Sequence, residues 1–189
     1  MKLPIVAYGD PILKRLAVDI EPAFPDLKQL IADMFETMYA ARGVGLAAPQ
    51  VGHSIRLFVV DAVPFGDEEP DLKNFKKVFI NAHVVEETGE KWPFNEGCLS
   101  IPDIREDIYR CSNLRISYYD ENWEHHEELF KGMAARIIQH EYDHTDGKLF
   151  TDYLSPLRKR MLQKRLVDIA RGAIKVEYKM KFPIVKKGR

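Results

Sequence analysis

The chain predicts an α+β fold: antiparallel and mixed sheets wrapped around a central helix, with an N-terminal and a C-terminal helix packing outside. Three observations carry this. Apolar residues recur at helical spacing in two stretches, near 27–41 and 133–145, and start and stop residues mark a third helix at 156–171. Runs rich in β-branched and aromatic residues at 55–61 and 77–86 read as buried strands, and 114–120 with 123–130 alternate around the turn-prone Asp120-Glu121-Asn122, as a hairpin does. The length, 189 residues, suits one domain (1–189) able to bury a core without staples.

Residues 1–24 hold Pro4, Pro11, Pro22 and the turn-prone Gly9-Asp10-Pro11, which predicts an extended, wrapping arm with at most one short helical turn after Asp10. Next, Leu27, Leu30, Ile31, Met34, Met38 and Ala41 define an amphipathic helix with Asp33 and Glu36 outward. Pro25 suits its first turn, and Gly43 suits the left-handed residue that closes it. The stretch from Gly43 to Gly52 then has three glycines and no packing period. Glycine permits close approach of something else, Pro49 excludes a regular helix, and the lysine and spacing of a phosphate loop are missing. Between the first two strands, residues 63–76 form a charged, Pro/Gly-punctuated loop, expected to be mobile and dispensable to chemistry. Residues 92–102 make a turn-rich apolar segment that presents Cys98 between Gly97 and Leu99.

Gly132 breaks the hairpin's second strand and releases a helix running from about Met133 to Thr145. Ser155 as cap and Pro156 at the first position open another helix, which Gly172 closes. Its Arg158, Lys159, Arg160, Lys164 and Arg165 form a basic surface, best read as a solvated face. Ile174, Val176, Tyr178 and Met180 alternate as a last strand would, before a lysine-rich end expected to fray.

Composition excludes several function classes. A net charge of -1 gives no global handle for nucleic acid or an acidic membrane. No apolar run approaches the roughly 20 residues that span a bilayer. Two cysteines, Cys98 and Cys111, make no disulfide framework, and Cys111 reads as a small buried hydrophobe. The start Met-Lys-Leu-Pro-Ile carries neither a signal peptide's apolar run nor a transit peptide's Arg/Ser bias, so a reducing, cytoplasmic location is expected.

The chemistry centres on His140-Glu141-Tyr142-Asp143-His144. Residues four apart share a helix face, so two imidazoles converge on one point with a carboxylate one position round. H-E-x-x-H is a zinc-hydrolase signature in which the glutamate serves as base. Met133 and Ile137 continue the histidine face, so the imidazoles lie on a buried stripe where a metal would satisfy them. A third ligand is needed. After His144 there is no histidine and one glutamate, Glu177, so a zinc peptidase would have to use it or an aspartate as third ligand. Upstream, Cys98 would complete two nitrogens and one sulfur with a position left for water, a catalytic set. A non-catalytic metal-binding or docking module is the remaining rival, and Glu141 argues against it, since a structural site has no use for an unliganded carboxylate.

Three stretches, Gly43 to Gln50, Glu96 to Ser100 and Gln139 to His144, together resemble the three motifs of peptide deformylases in order and spacing, and the similarity runs from Gly9-Asp10-Pro11 to Ser155. Thr145, where Leu or Ile is common, and the long 63–76 loop depart from the pattern. The resemblance implies removal of the N-formyl group from the initiator methionine of nascent chains, with release of formate. It implies Cys98, His140 and His144 as ligands of Fe(II), with zinc, nickel or cobalt able to substitute. It further implies Glu141 as the proton carrier and the Gln50 amide with the Leu99 backbone N–H as oxyanion donors. Gly45 would let the formyl-Met peptide lie alongside like an added strand. Val44, Met133 and Ile137 would line the methionine slot, with Arg136 near its rim, and Arg105 would contact the peptide beyond it. For both arginines a plain surface charge is the competing expectation. The expected partners are nascent formyl-Met peptides, with a ribosome contact by the basic C-terminal helix suggested by the family's task, and the chain is expected to be a monomer.

Overall fold

Proline spacing keeps the first residues out of regular helix, and the structure, a computed structural model that describes residues 1–183, runs them as an arm over the surface. The arm contains strand β1 (Ile5–Val6) and a 3-10 turn at Pro11–Lys14, where the Asp10 carboxylate accepts the Ile12 N–H at 3.0 Å.

Helix α1 (Leu27–Ala40) buries Leu27, Leu30, Ile31, Met34 and Met38, as their spacing requires. Three local expectations are corrected. Asp33 is buried rather than outward, because its carboxylate is tied to the Met1 amino group and accepts from Gln29 at 2.9 Å. Pro25 lies before the helix, whose cap is the left-handed Asp26. The left-handed residue after the helix is Arg42 (φ 56), not Gly43; a Cβ on Gly43 would come within 2.8 Å of the Leu99 side chain.

Strands β2 (Gly45–Ala47), β3 (Leu57–Asp61), β4 (Lys76–Cys98), β5 (Ile101–Tyr119) and β6 (His125–Lys131) form one antiparallel sheet in that order. Alternation along β3 sends Leu57 and Val59 into the cluster around α1, and Phe58 and Val60 into the cluster on the other face. That second cluster receives Met133, Ala134, Ile137 and Ile138 of helix α2 (Gly132–Thr145). The sheet therefore lies between the two helices, and α2 is central.

β4 and β5 make one long hairpin. The turn-rich segment expected at 92–102 is strand almost throughout, and its turn shrinks to Leu99-Ser100 between the paired Cys98 and Ile101. Register shifts at four places bend the hairpin, as extra unpaired residues do.

The 63–76 loop is built rather than loose. It carries 3-10 turns at Val63–Phe65 and Pro70–Leu72, buries Leu72, and directs the Glu69 carboxylate to the Met133 N–H at 3.1 and 3.3 Å. An acceptor there satisfies a donor that the first turn of any helix leaves orphaned. Gly132 (φ 54) is required at this joint, since a Cβ would sit 2.8 Å from that carboxylate.

Helix α3 (Pro156–Ala170) opens on Ser155, whose side chain accepts the Arg158 N–H at 3.2 Å, and packs Leu162, Leu166 and Ile169 against β5 residues Ile104 and Ile108. Within the chain Arg158 pairs with Glu106, Lys159 donates to the Asp152 carbonyl and Arg165 to the Asp103 carbonyl, which suits a solvated face. Of the last strand expected across Ile174 to Met180, only the end forms: β7 (Met180–Lys181) pairs parallel to β1 with Ile5 opposite Met180, and 173–179 is not strand. The lysine-rich end expected to fray falls at 184–189, outside the described residues. Among the described residues no helix is long and apolar enough to cross a membrane.

Candidate metal centre

The helical phase of α2 brings the His140 and His144 rings to 5.1 Å between centroids, both turned inward. Cys98 ends β4 just before the Leu99-Ser100 turn, and its Sγ lies 3.4 Å from His144 Nε2. One donor atom from each of Cys98, His140 and His144 falls within 4.8 Å of the other two. Asp120, Glu124 and His126 make a second such cluster on the β5–β6 turn, where Asp120 already accepts from the backbone and meets His126 at 2.9 Å.

Two residues before Cys98, and so on the same side of the strand, Glu96 is buried with its carboxylate 2.9 Å from His140 Nδ1. Arg110 reaches the same carboxylate at 2.7 and 3.1 Å, and Arg136 at 2.8 Å. Burial alone would raise Glu96, but the His140 and Arg110 hydrogen bonds outweigh it and hold the carboxyl well below its ordinary range. An ionised carboxylate only accepts, so Nδ1 carries the proton shared with it and Nε2 is the ring nitrogen left to face a ligand. Arg110 also donates to Asp143 at 2.8 Å, and Asp143 accepts from the Tyr153 hydroxyl at 2.9 Å.

Gln50 sits in a 3-10 turn (Ala48–Val51) started by Pro49. Its Oε1 accepts the Ala47 N–H at 2.9 Å, which aims Nε2 at Cys98 Sγ (3.4 Å) and Ser100 Oγ (3.3 Å). Gly45 lines the cleft and lies against the Glu141 side chain. A Cβ on it would lie 2.7 Å from both Cγ and Cδ of Glu141, so the absent side chain makes room for that carboxylate. Glu141 is 4% exposed, and burial pushes it up to about 7 against the pull of His140 and Arg110.

Glu141 Oε2 and His144 Nδ1 are buried with no hydrogen-bond partner among the described residues. A carboxylate oxygen left so costs several kcal/mol by order of magnitude, which a packed core avoids. Two imidazoles, one thiol and an orphaned carboxylate fit a metal with a position left open for a reactant.

These groups face a cleft of about 820 Å³, lined also by Val44, Met133, Ile137 and Arg105, while His144 lies behind its wall. Arg105 is exposed at the mouth and donates to Asn95 Oδ1 at 3.0 Å. Arg136 is no surface charge: it is 2% exposed, donates to the Ile108 carbonyl at 2.8 Å and stacks on Trp92 at 4.2 Å. Glu177, the alternative third ligand, is exposed and pairs with Arg42 at 3.1 Å. Sequence reasoning missed Arg110 and gave no role to Glu96 or Asp143, though both lie in the motifs it singled out; the position of Glu96 two before the cysteine on a strand was the available signal. It also missed residues 175–178, which line the cleft's mouth.

Comparison with known proteins agrees with this geometry. The family model described as polypeptide deformylase matches residues 2–160. A peptide deformylase of Christiangramia forsetii is 55% identical over 196 aligned positions, and one of Flavobacterium johnsoniae 56% over the same length, each alignment covering 100% of both chains. The crystal structure of a peptide deformylase from Legionella pneumophila superposes with a TM-score of 0.79 at 39% identity, covering 89% of this chain and 95% of that one. The Thermotoga maritima peptide deformylase gives 0.74 at 39% identity, covering 82% and 99%.

Proposed function

The chain belongs to the polypeptide deformylase family, metal-dependent hydrolases that remove the N-formyl group from nascent polypeptides, and from that premise we propose how its own residues carry the reaction. Cys98, His140 and His144 hold the metal. Fe(II) is the native ion in this reading, with zinc, nickel or cobalt able to replace it, and the mixed nitrogen and sulfur donor set supports that range. When bound, the ion supplies Lewis acidity and lowers the pKa of water at its open position.

The remaining steps fall to side chains and backbone. Glu141 Oε2 takes a proton from the attacking water as its oxygen bonds to the formyl carbon, then delivers that proton to the peptide nitrogen as the C–N bond breaks, giving formate and a free amine. Gln50 Nε2 and the Leu99 N–H donate to the oxygen on which negative charge develops. The hydrogen bond from Ala47 to Gln50 supports this by fixing which end of the amide faces the site. Val44, Met133 and Ile137 offer the apolar slot for the methionine side chain, Gly45 lets the peptide lie alongside and leaves room for the Glu141 carboxylate, and Arg105 meets the peptide beyond the methionine. The work is that of a monomer in the cytoplasm, where nascent formyl-Met chains are made.

The observation that carries the reading is the buried, partnerless Glu141 oxygen beside the sulfur and nitrogen donors. Formate release from a formyl-Met peptide by the iron-loaded chain tests it. Replacing Glu141→Gln is expected to lower turnover by about 10²–10⁴-fold while metal stays bound. No formate from the iron-loaded wild type would end the reading.

A further inference from the structure

The Leu99-Ser100 turn, which follows the cysteine, is gripped from outside by both arms of the chain. The Tyr178 hydroxyl donates to the Leu99 carbonyl at 2.8 Å, and the Tyr8 N–H donates to the Ser100 carbonyl at 2.8 Å. The two arms are themselves joined: Ile5 N–H donates to the Lys179 carbonyl at 2.8 Å, Ala7 N–H to the Lys181 carbonyl at 2.9 Å, and β1 pairs with β7. Tyr178 lies outside the stretch that the family model matches, in a segment whose residues 175–178 line the cleft.

We propose that Tyr178 is a positioning residue for deformylation: by holding the Leu99 carbonyl it fixes the turn, and so the direction of the Leu99 N–H, when the oxyanion forms. This rests on the assignment of that N–H as an oxyanion donor. A two-residue turn has few constraints of its own. Its closing pair, Cys98 and Ile101, fixes the ends, and the two external hydrogen bonds hold the Leu99–Ser100 and Ser100–Ile101 peptide planes, so the adjoining Cys98–Leu99 plane, which carries the Leu99 N–H, is set through the Leu99 backbone torsions that join it to a held neighbour. With one released, those planes can rotate together, and a fixed dipole becomes one that must reorganise during the reaction.

The test is Tyr178→Phe, which removes one oxygen and keeps the ring that packs against the core around α1. Deleting an oxyanion donor outright costs about 10²–10³-fold in kcat, so loosening one should cost on the order of 5- to 20-fold. The expected result is that loss in kcat with KM unchanged, together with a shifted Leu99 amide signal by NMR. A side chain that only stabilised the fold would lower the melting temperature and leave kcat untouched at a temperature well below it. Wild-type kcat in Tyr178→Phe, or a loss confined to KM, overturns the proposal. Should that variant prove too unstable to assay, Met180→Ala, which loosens the β1–β7 anchor, is expected to show the same kcat loss, and wild-type behaviour there overturns it instead. If the wild type itself releases no formate, the deformylase assignment fails first.

Discussion

Gly45 and Glu141 are coupled through volume alone. Gly45→Ala puts a methyl group where the Glu141 side chain passes, and the carboxylate must move to admit it. Misplacement by about 1 Å can cost on the order of 10²-fold in rate, so formate release should fall by roughly that factor while metal analysis shows normal content. Arg136 is coupled through charge. Arg136→Leu leaves Glu96 with Arg110 and His140 but removes one of its two guanidinium partners and the hydrogen bonds that Arg136 donates to the Ile108 and Trp92 carbonyls. Breaking a buried pair of this kind costs about 3–5 kcal/mol, readable in urea unfolding, and metal affinity should drop about 10- to 100-fold as His140 loses its fixed orientation. The ligands were legible in the sequence because helical spacing alone brings His140 and His144 together. Arg136 was not, because the carboxylate that justifies burying it lies forty positions away, on a strand. Thr145 became intelligible for a similar reason: its hydroxyl accepts from Arg56 at 3.3 Å and donates to the Tyr142 carbonyl at 2.7 Å, a polar pairing that Leu or Ile could not make.

Helix α2 depends at its start on a residue from a loop that looked expendable. Glu69→Ala should destabilise the protein by about 1 kcal/mol, as loss of a helix cap does, and lower the melting temperature by about 2–4 °C in calorimetry. An unchanged melting temperature would return the 63–76 loop to the dispensable role its composition suggested. The helices themselves were legible, each within a residue or two: α1 and α2 because one apolar face against the sheet imposes a strong period, α3 because Ser155-Pro156 and Gly172 mark its ends. β4 was only half legible. Its buried first third reads as a strand, but residues 86–91 are exposed and carry no alternation, so nothing local announces that pairing with β5 continues through them.

At the scale of the whole molecule, the proposed ligands join two separate pieces, the tip of the β4–β5 hairpin and the central helix. A metal bound only by the folded chain stabilises it by about 2.7 kcal/mol at a hundredfold excess over Kd. Its removal by a chelator should therefore lower the melting temperature by roughly 5–10 °C, and adding back a divalent ion should restore it. The layered arrangement of helices on both faces of the sheet was readable from the sequence. The closure of the site by the two chain arms was not, since it depends on β1–β7 pairing between segments some 175 positions apart. X-ray absorption on the zinc-loaded protein tests the ligand set most directly. One sulfur at about 2.3 Å and two imidazole nitrogens at about 2.0–2.1 Å are expected. A shell of nitrogen and oxygen alone would remove Cys98 from the metal and contradict the assignment.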